Sequence, residues 1–206
     1  MIKNVVFDIG GVILYWNIDE MIDAFTNVDD EKEFIKKYIY DSPEWTKEGL
    51  IDIGYITQDD FVKNVQERTN HKYDKLAENF ILNYYKLFHI KEDVVDIMKK
   101  LKTNGYNVYI LSNINKYVTD RIGIDELLSD VDGAVLSYLI HEIKPGEEIY
   151  KYLLKKYDLN PSETMFIDDM QANIDTANKL GILGKKVERN STEDIIDVLN
   201  ELDLLD

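Results

Sequence analysis

The chain contains no cysteine. That excludes a disulfide framework, a thiolate nucleophile and any cysteine-ligated zinc or iron–sulfur centre. Basic residues are scarce: 24 Lys and Arg stand against 40 Asp and Glu, and the formal net charge is −16. The arginines are only Arg68, Arg121 and Arg189. Without a basic face the chain is no nucleic-acid binder, and its negative field disfavours anionic membrane surfaces. No apolar run approaches the roughly 18 residues that a membrane helix needs. Met1-Ile2-Lys3-Asn4 leads straight into a strand-like stretch with no signal peptide before it. A soluble cytoplasmic globule is the expectation, and 206 residues with 45% apolar content suffice for a real core.

Four short apolar runs stand out: Val5-Val6-Phe7, Val108-Tyr109-Ile110-Leu111, Gly133-Ala134-Val135-Leu136 and Thr164-Met165-Phe166-Ile167. Runs of this kind without strict alternation read as strands buried on both faces, and residues 182–187 are a weaker fifth. Helical patterns lie between them. Val94, Val95, Ile97, Met98 and Leu101 stop at Asn104-Gly105, a C-cap signature. Ile149, Tyr152, Leu153 and Leu154 follow Pro145, read as sitting near the first turn. Ile174, Ala177 and Leu180 end at Gly181. Alternating strands and helices predict an α/β fold with a doubly wound, Rossmann-like parallel sheet.

Residues 17–89 break that rhythm. They are helical in pattern throughout, with Thr57 and Asp60 spaced as a capping box. This stretch reads as a small all-helical cap inserted after the first strand, leaving residues 1–16 and 90–206 as the core. Its many aromatics, among them Tyr38, Tyr40, Trp45, Tyr55, Tyr84 and Tyr85, read first as helix packing, with a few left to line a pocket. The acidic stretch 193–206 reads as a solvated helix face.

In an open parallel sheet, ligands bind outside the carboxyl ends of the strands, near the point where strand order reverses. The first strand delivers Asp8 and then Gly10-Gly11, the second Ser112-Asn113, the fourth Asp168-Asp169. Lys144-Pro145 opens the helix after the third. Three carboxylates placed together repel one another unless a cation neutralises them. Oxygen ligands without histidine or cysteine select magnesium over zinc. Lys144 and the Ser112 hydroxyl suit phosphate oxygens, and Gly10 and Gly11 let backbone amides approach an anion. A carboxylate beside such a site can attack phosphorus and form an aspartyl-phosphate.

In order, Phe7-Asp8-Ile9-Gly10-Gly11-Val12, Leu111-Ser112-Asn113, Lys144-Pro145 and Phe166-Ile167-Asp168-Asp169 with Asn173 resemble the four motifs of the haloacid dehalogenase-like (HAD) hydrolase superfamily, in its small-capped form. The resemblance implies that Asp8 is the nucleophile and a magnesium ligand. The Gly10 backbone carbonyl, Asp169 and Asp168 would complete the metal site. Ser112 and Asn113 would hold the phosphoryl group, Lys144 would stabilise its charge, and Asn173 matches the trailing residue of the fourth motif. Family phosphatases usually carry a second aspartate, the general acid and base, where this chain has Gly10. General acid–base help is worth about 10²–10⁴-fold, so that change bears on rate and leaving group.

The Asp-x-Gly-(Gly/Asn)-Val pattern is similar to that of sugar-phosphate phosphatases, including glucose-1-phosphate phosphatases. The expected activity is thus magnesium-dependent hydrolysis of a small phosphorylated metabolite. Two alternatives stay open: a 2-haloacid dehalogenase, and a non-catalytic binding or regulatory protein on the same fold. His71, His89 and His141 read as structural residues, with nothing marking any of them as a substitute acid.

Overall fold

Strands form here because runs of β-branched and aromatic residues can bury both of their faces, and the sheet that results is wholly parallel. The computed structural model describes residues 1–205, the side chain of Lys47 excepted. Five strands, β1 (Asn4–Phe7), β4 (Asn107–Ser112), β5 (Gly133–Leu136), β6 (Thr164–Asp168) and β7 (Leu183–Lys186), lie in the order β5-β4-β1-β6-β7. The registers are in parallel throughout, with Phe7 opposite Ile110 on one side and Ile167 on the other. The strand period of two then divides the core. Val5, Phe7, Val108, Ile110, Met165 and Ile167 belong to one buried cluster, and Val6, Tyr109, Leu111 and Phe166 to another. Each side chain so buried contributes about 1.5–3 kcal/mol.

Helices cover both faces. On the first lie α5 (Glu92–Thr103) and α11 (Thr192–Asn200), which contribute Val94, Leu101, Ile195 and Leu199. The second is closed by α9 (Glu147–Lys156) and α10 (Gln171–Lys179), through Ile149, Leu153, Ile174 and Ala177. Short helices α6 (Lys116–Thr119), α7 (Ile124–Ser129) and α8 (Ser137–Ile140) connect β4 to β5 and follow β5. The acidic C-terminal stretch is more than a solvated face. Ile195 and Leu199 are buried, and Leu204 and Leu205 after them are buried too.

Between residues 18 and 87 the chain is helical: α1 (Ile18–Asp23), α2 (Asp29–Phe34), α3 (Gln58–Arg68) and α4 (Asp74–Asn83), with wider π turns at Ile35–Tyr40 and Pro43–Lys47 and a 3₁₀ turn at Tyr84–Leu87. The Thr57–Asp60 capping box is present in both directions and starts α3. Phe34, Ile35, Ile39, Phe61, Val65, Phe80 and Ile81 share one continuous buried cluster with the first face of the sheet. Most of the aromatics pack there; Tyr55, by contrast, is exposed.

Two further features differ from the sequence reading. A two-stranded antiparallel ribbon, β2 (Leu14–Tyr15) with β3 (His89–Ile90), ties the start of the helical segment to its end. Two residues per strand are too few to show a period, so the pattern carried no trace of it. Pro145 is also not in the first turn of α9, which begins at Glu147 with Gly146 as its N-cap. The Lys144–Pro145 peptide is cis. Reciprocal bonds between Asn113 and the Lys144 backbone, both 2.8 Å, fix this loop to the end of β4 before the helix starts. Among the described residues no helix is long and apolar enough to cross a membrane.

Candidate active site

With β1 central and the chain running first to β4 and β5 and only later to β6 and β7, strand order reverses beside β1. The carboxyl ends of β4, β1 and β6 therefore open into one crevice. Asp8 follows β1, Asp168 ends β6, and Lys144 comes in on the anchored loop after β5. The Lys144 ammonium lies 2.8 Å from Asp8 Oδ1 and 2.6 Å from Asp168 Oδ2, and all three side chains are buried. Asn173, on the first turn of α10, donates to both Asp168 oxygens at 2.9 Å, and the Met170 amide donates to Oδ1 at 2.7 Å. Asp168 is thus fully engaged: it holds the lysine in place.

Ligand atoms of Asp8, Asp168 and Asp169 lie within 4.8 Å of one another. Burial raises the Asp8 pKa, and the charges of Asp168 and Asp169 push it further the same way; Lys144 opposes both. Burial also raises Asp169, with Arg189 opposing. For Lys144 burial disfavours the charged form, yet Asp168 and Asp8 outweigh it and the pKa is raised. The ammonium stays charged while the carboxylates around it are under electrostatic strain that a further cation would relieve.

Gly11 sits where a side chain would not fit. Its φ is +77°, and a Cβ there would come within 3.0 Å of both Asp169 Oδ2 and Arg189 Cγ. The bare backbone lets Asp169 approach the first loop. Ser112, at the end of β4, is 1% exposed, and its Oγ has no hydrogen-bond partner. Such an orphan costs about 1–3 kcal/mol if it stays unpaired, so it marks a place where an acceptor belongs.

A cavity of about 500 Å³ opens over this cluster. Asp8, Gly10, Asn113, Lys144, Asp169 and Asn173 line it, while Gly11, Ser112 and Asp168 stand outside its lining. The side formed by the helical segment is mostly apolar, with Trp45, Tyr84 and Phe88, while Trp16 stands beside Gly10. None of the three histidines takes part. His71 meets Asp74, His89 stacks on Tyr15, and His141 Nδ1 lies 2.6 Å from the Ile53 carbonyl oxygen.

Two lining residues escaped the sequence reading. Arg189 pairs with Asp169 through Nε at 2.6 Å, and its guanidinium lies over the Trp16 ring. Its loop is stitched to the first one by Asn190, which donates to the Gly11 and Trp16 carbonyls and accepts from Trp16. A signal existed, because Arg189 follows the fifth strand as Asp8 follows the first. Asp52, in the helical segment, is the other. Its carboxylate accepts from Asn115 Nδ2 at 2.9 Å, and burial pushes its pKa up to about 6, with that amide only partly opposing. No motif or period singles out this aspartate.

The chain is similar to known proteins over most of its length. The chain is 28% identical over 194 residues to a D-ribitol-5-phosphate phosphatase of Bacteroides thetaiotaomicron, covering 88% of this chain and 89% of that one. A predicted HAD-like family hydrolase from Porphyromonas gingivalis superposes with a TM-score of 0.76 at 25% identity, over 98% of both chains. A HAD family enzyme of B. thetaiotaomicron, solved with magnesium and inorganic phosphate, shares the fold with a TM-score of 0.74 at 24% identity, over 95% of this chain and 99% of that one. The haloacid dehalogenase-like hydrolase family model matches residues 2–181, a span that runs from β1 through α10 and holds all four motifs, and the chain belongs to that family.

Proposed function

We propose that this protein is a magnesium-dependent phosphomonoesterase of the cytoplasm, acting on a small phosphorylated metabolite through an aspartyl-phosphate on Asp8. The observation that carries the reading is the cluster itself: three carboxylates with ligand atoms inside 4.8 Å, two of them paired with one buried lysine. The carboxylates fit a hard divalent cation. Asp8, Asp169 and the Gly10 carbonyl would hold magnesium, with Asp168 beside them, and the ion would supply charge neutralisation for phosphoryl oxygens. The unpaired Ser112 hydroxyl and Lys144 suit the phosphoryl group itself, whereas the Asn113 side chain, expected to join them, bonds the Lys144 backbone at both ends. Similarity to a polyol-phosphate phosphatase supports the same substrate class.

In this reading an Asp8 oxygen attacks phosphorus and the bond from phosphorus to the substrate's alcohol oxygen breaks. The departing alkoxide takes a proton from water. Water then attacks the acyl phosphate, releasing inorganic phosphate and the free Asp8 carboxylate. Lys144 holds the nucleophile's charge state and orientation, and Asp168 with Asn173 holds Lys144. Gly10 offers no acid, so leaving groups that need little protonation react fastest. The helical segment, residues 17–89, acts as a cap that screens the cavity from water and selects the alcohol. A 2-haloacid dehalogenase reading uses no metal and leaves the three clustered carboxylates to Lys144 and Arg189 among the described residues.

Phosphate release from a panel of polyol and sugar monophosphates, with magnesium and with a chelator, tests the proposal. Magnesium-dependent release is expected. Chloride release from 2-chloropropionate without metal, and no phosphate release from any ester, would overturn it.

A further inference from the structure

Asp52 is a carboxylate on the cavity lining that the proposed chemistry does not use, held by the helical segment against the loops that leave β4 and β5. Its placement is built rather than incidental. Ser137 Oγ donates to the Asp52 carbonyl at 2.5 Å and accepts from the Ile114 amide at 2.9 Å, clamping the helical segment's loop to the loop after β4. Asn115 is the N-cap of α6, with its side-chain oxygen taken by the Val118 amide at 3.0 Å. That fixes which end of its amide faces Asp52, and the same NH₂ reaches the Tyr84 hydroxyl at 3.2 Å. A carboxylate accepts about four hydrogen bonds, and Asp52 takes this single side-chain donor among the described residues. Neither Lys144 nor Arg189 pairs with it, since both are engaged by Asp8, Asp168 and Asp169.

Resting on the phosphatase reading, we propose that Asp52 accepts a hydrogen bond from a hydroxyl on the alcohol part of the substrate, and so selects neutral polyol or sugar monophosphates. Trp45, Tyr84 and Phe88 beside it give the carbon chain an apolar wall, and a pocket of this kind orients its ligand through a few polar groups set in such a wall. A substrate with a second anionic group in place of that hydroxyl meets Asp52 as a like charge. An unhydroxylated alcohol leaves the carboxylate desolvated without a donor, which is the situation a hydrogen-bonding site rejects most strongly.

The test compares wild type with Asp52→Asn and Asp52→Ala, in magnesium, on polyol and sugar monophosphates and on straight-chain alkyl phosphates of matching length. The wild type should favour the hydroxylated esters. Both variants should lower that selectivity about ten- to a hundredfold, the worth of one hydrogen bond to a charged group, and chiefly through KM. Thermal unfolding of each variant confirms a folded protein. Equal losses on both ester types would assign Asp52 to proton transfer or to structure and overturn the inference. So would a wild type indifferent to hydroxyl groups, with the phosphatase reading intact. A wild type that releases phosphate from no ester overturns both.

Discussion

The two walls of the cavity are built on opposite principles. The strand-end wall gathers charge: Asp8, Asp168 and Asp169 against Lys144 and Arg189, each with partners in fixed geometry. The helical wall is aromatic and carries Asp52 with one side-chain donor. Desolvated charge is costly unless compensated, so the first wall tolerates almost no change. Apolar walls tolerate substitution of similar volume, and the second can vary without endangering the first. On the proposed reading, reaction chemistry and substrate choice thus fall to different segments of the chain.

The sharpest way to break that division is Asp8→Asn. The expected loss of phosphatase activity is about 10⁴-fold or more, as for other nucleophile deletions, on hydroxylated and unhydroxylated esters alike. Stability should hold or rise, because the substitution removes one of three clustered charges. Acid-quench trapping of phosphoprotein checks the role directly: label on wild type and none on the variant. Retained turnover in Asp8→Asn would place the chemistry elsewhere.

Lys144→Met probes the same wall through stability. The ammonium contacts two carboxylates and is 3% exposed. Its removal leaves Asp8 and Asp168 buried without a counter-charge, and the expected cost is about 3–5 kcal/mol in urea unfolding. A change below about 1 kcal/mol would mean the pair is more solvated than its geometry says.

The charged wall was legible because it is local. Asp8, Asp168 and Asp169 end or directly follow a strand, Lys144 lies on the short loop ahead of α9, and strands buried on both faces announce themselves as short apolar runs. Asp8, Lys144, Asp168 and Asp169 could be named from one-dimensional position alone, and the structure brings them together. The same rule reaches Arg189 after β7, a strand whose pattern, Leu-Gly-Lys-Lys at the sheet edge, is too polar to stand out. Asp52 follows no strand and caps no helix. It reaches the cavity because Ser137 and Asn115, 85 and 63 residues away in sequence, hold its loop there. Such long-range clamping has no local signature, and the same is true of the β2–β3 ribbon.

A metal titration sharpens the comparison with a smaller effect. A ligand that binds only the folded state at a hundred times its dissociation constant adds about 2.7 kcal/mol, or roughly 5–10 °C of Tm for a chain of this size. Magnesium should give a shift of that order in wild type and a reduced one in Asp8→Asn. Asp52→Asn, on the other wall, should keep the wild-type shift. An equal magnesium shift in Asp8→Asn would remove Asp8 from the metal site.

The smallest effect isolates Asp52 itself. Burial lifts its carboxyl from 3.8 to about 6, while Tyr84 beside it is held neutral by a pKa raised in the same way. The folded protein therefore binds this proton more tightly than the unfolded chain does. The associated stability is complete below pH 4 and is lost as pH rises through 6. Above that, an ionised Asp52 costs stability, which Asp52→Asn should return: about 1 kcal/mol at pH 8 after allowing for partial solvent screening, and close to nothing at pH 4. Urea midpoints at the two pH values read the difference. A gain at pH 8 alongside lost hydroxyl selectivity would show a carboxylate kept at the expense of stability for what it binds, whereas a gain that persists unchanged at pH 4 would show that charge is not the cause.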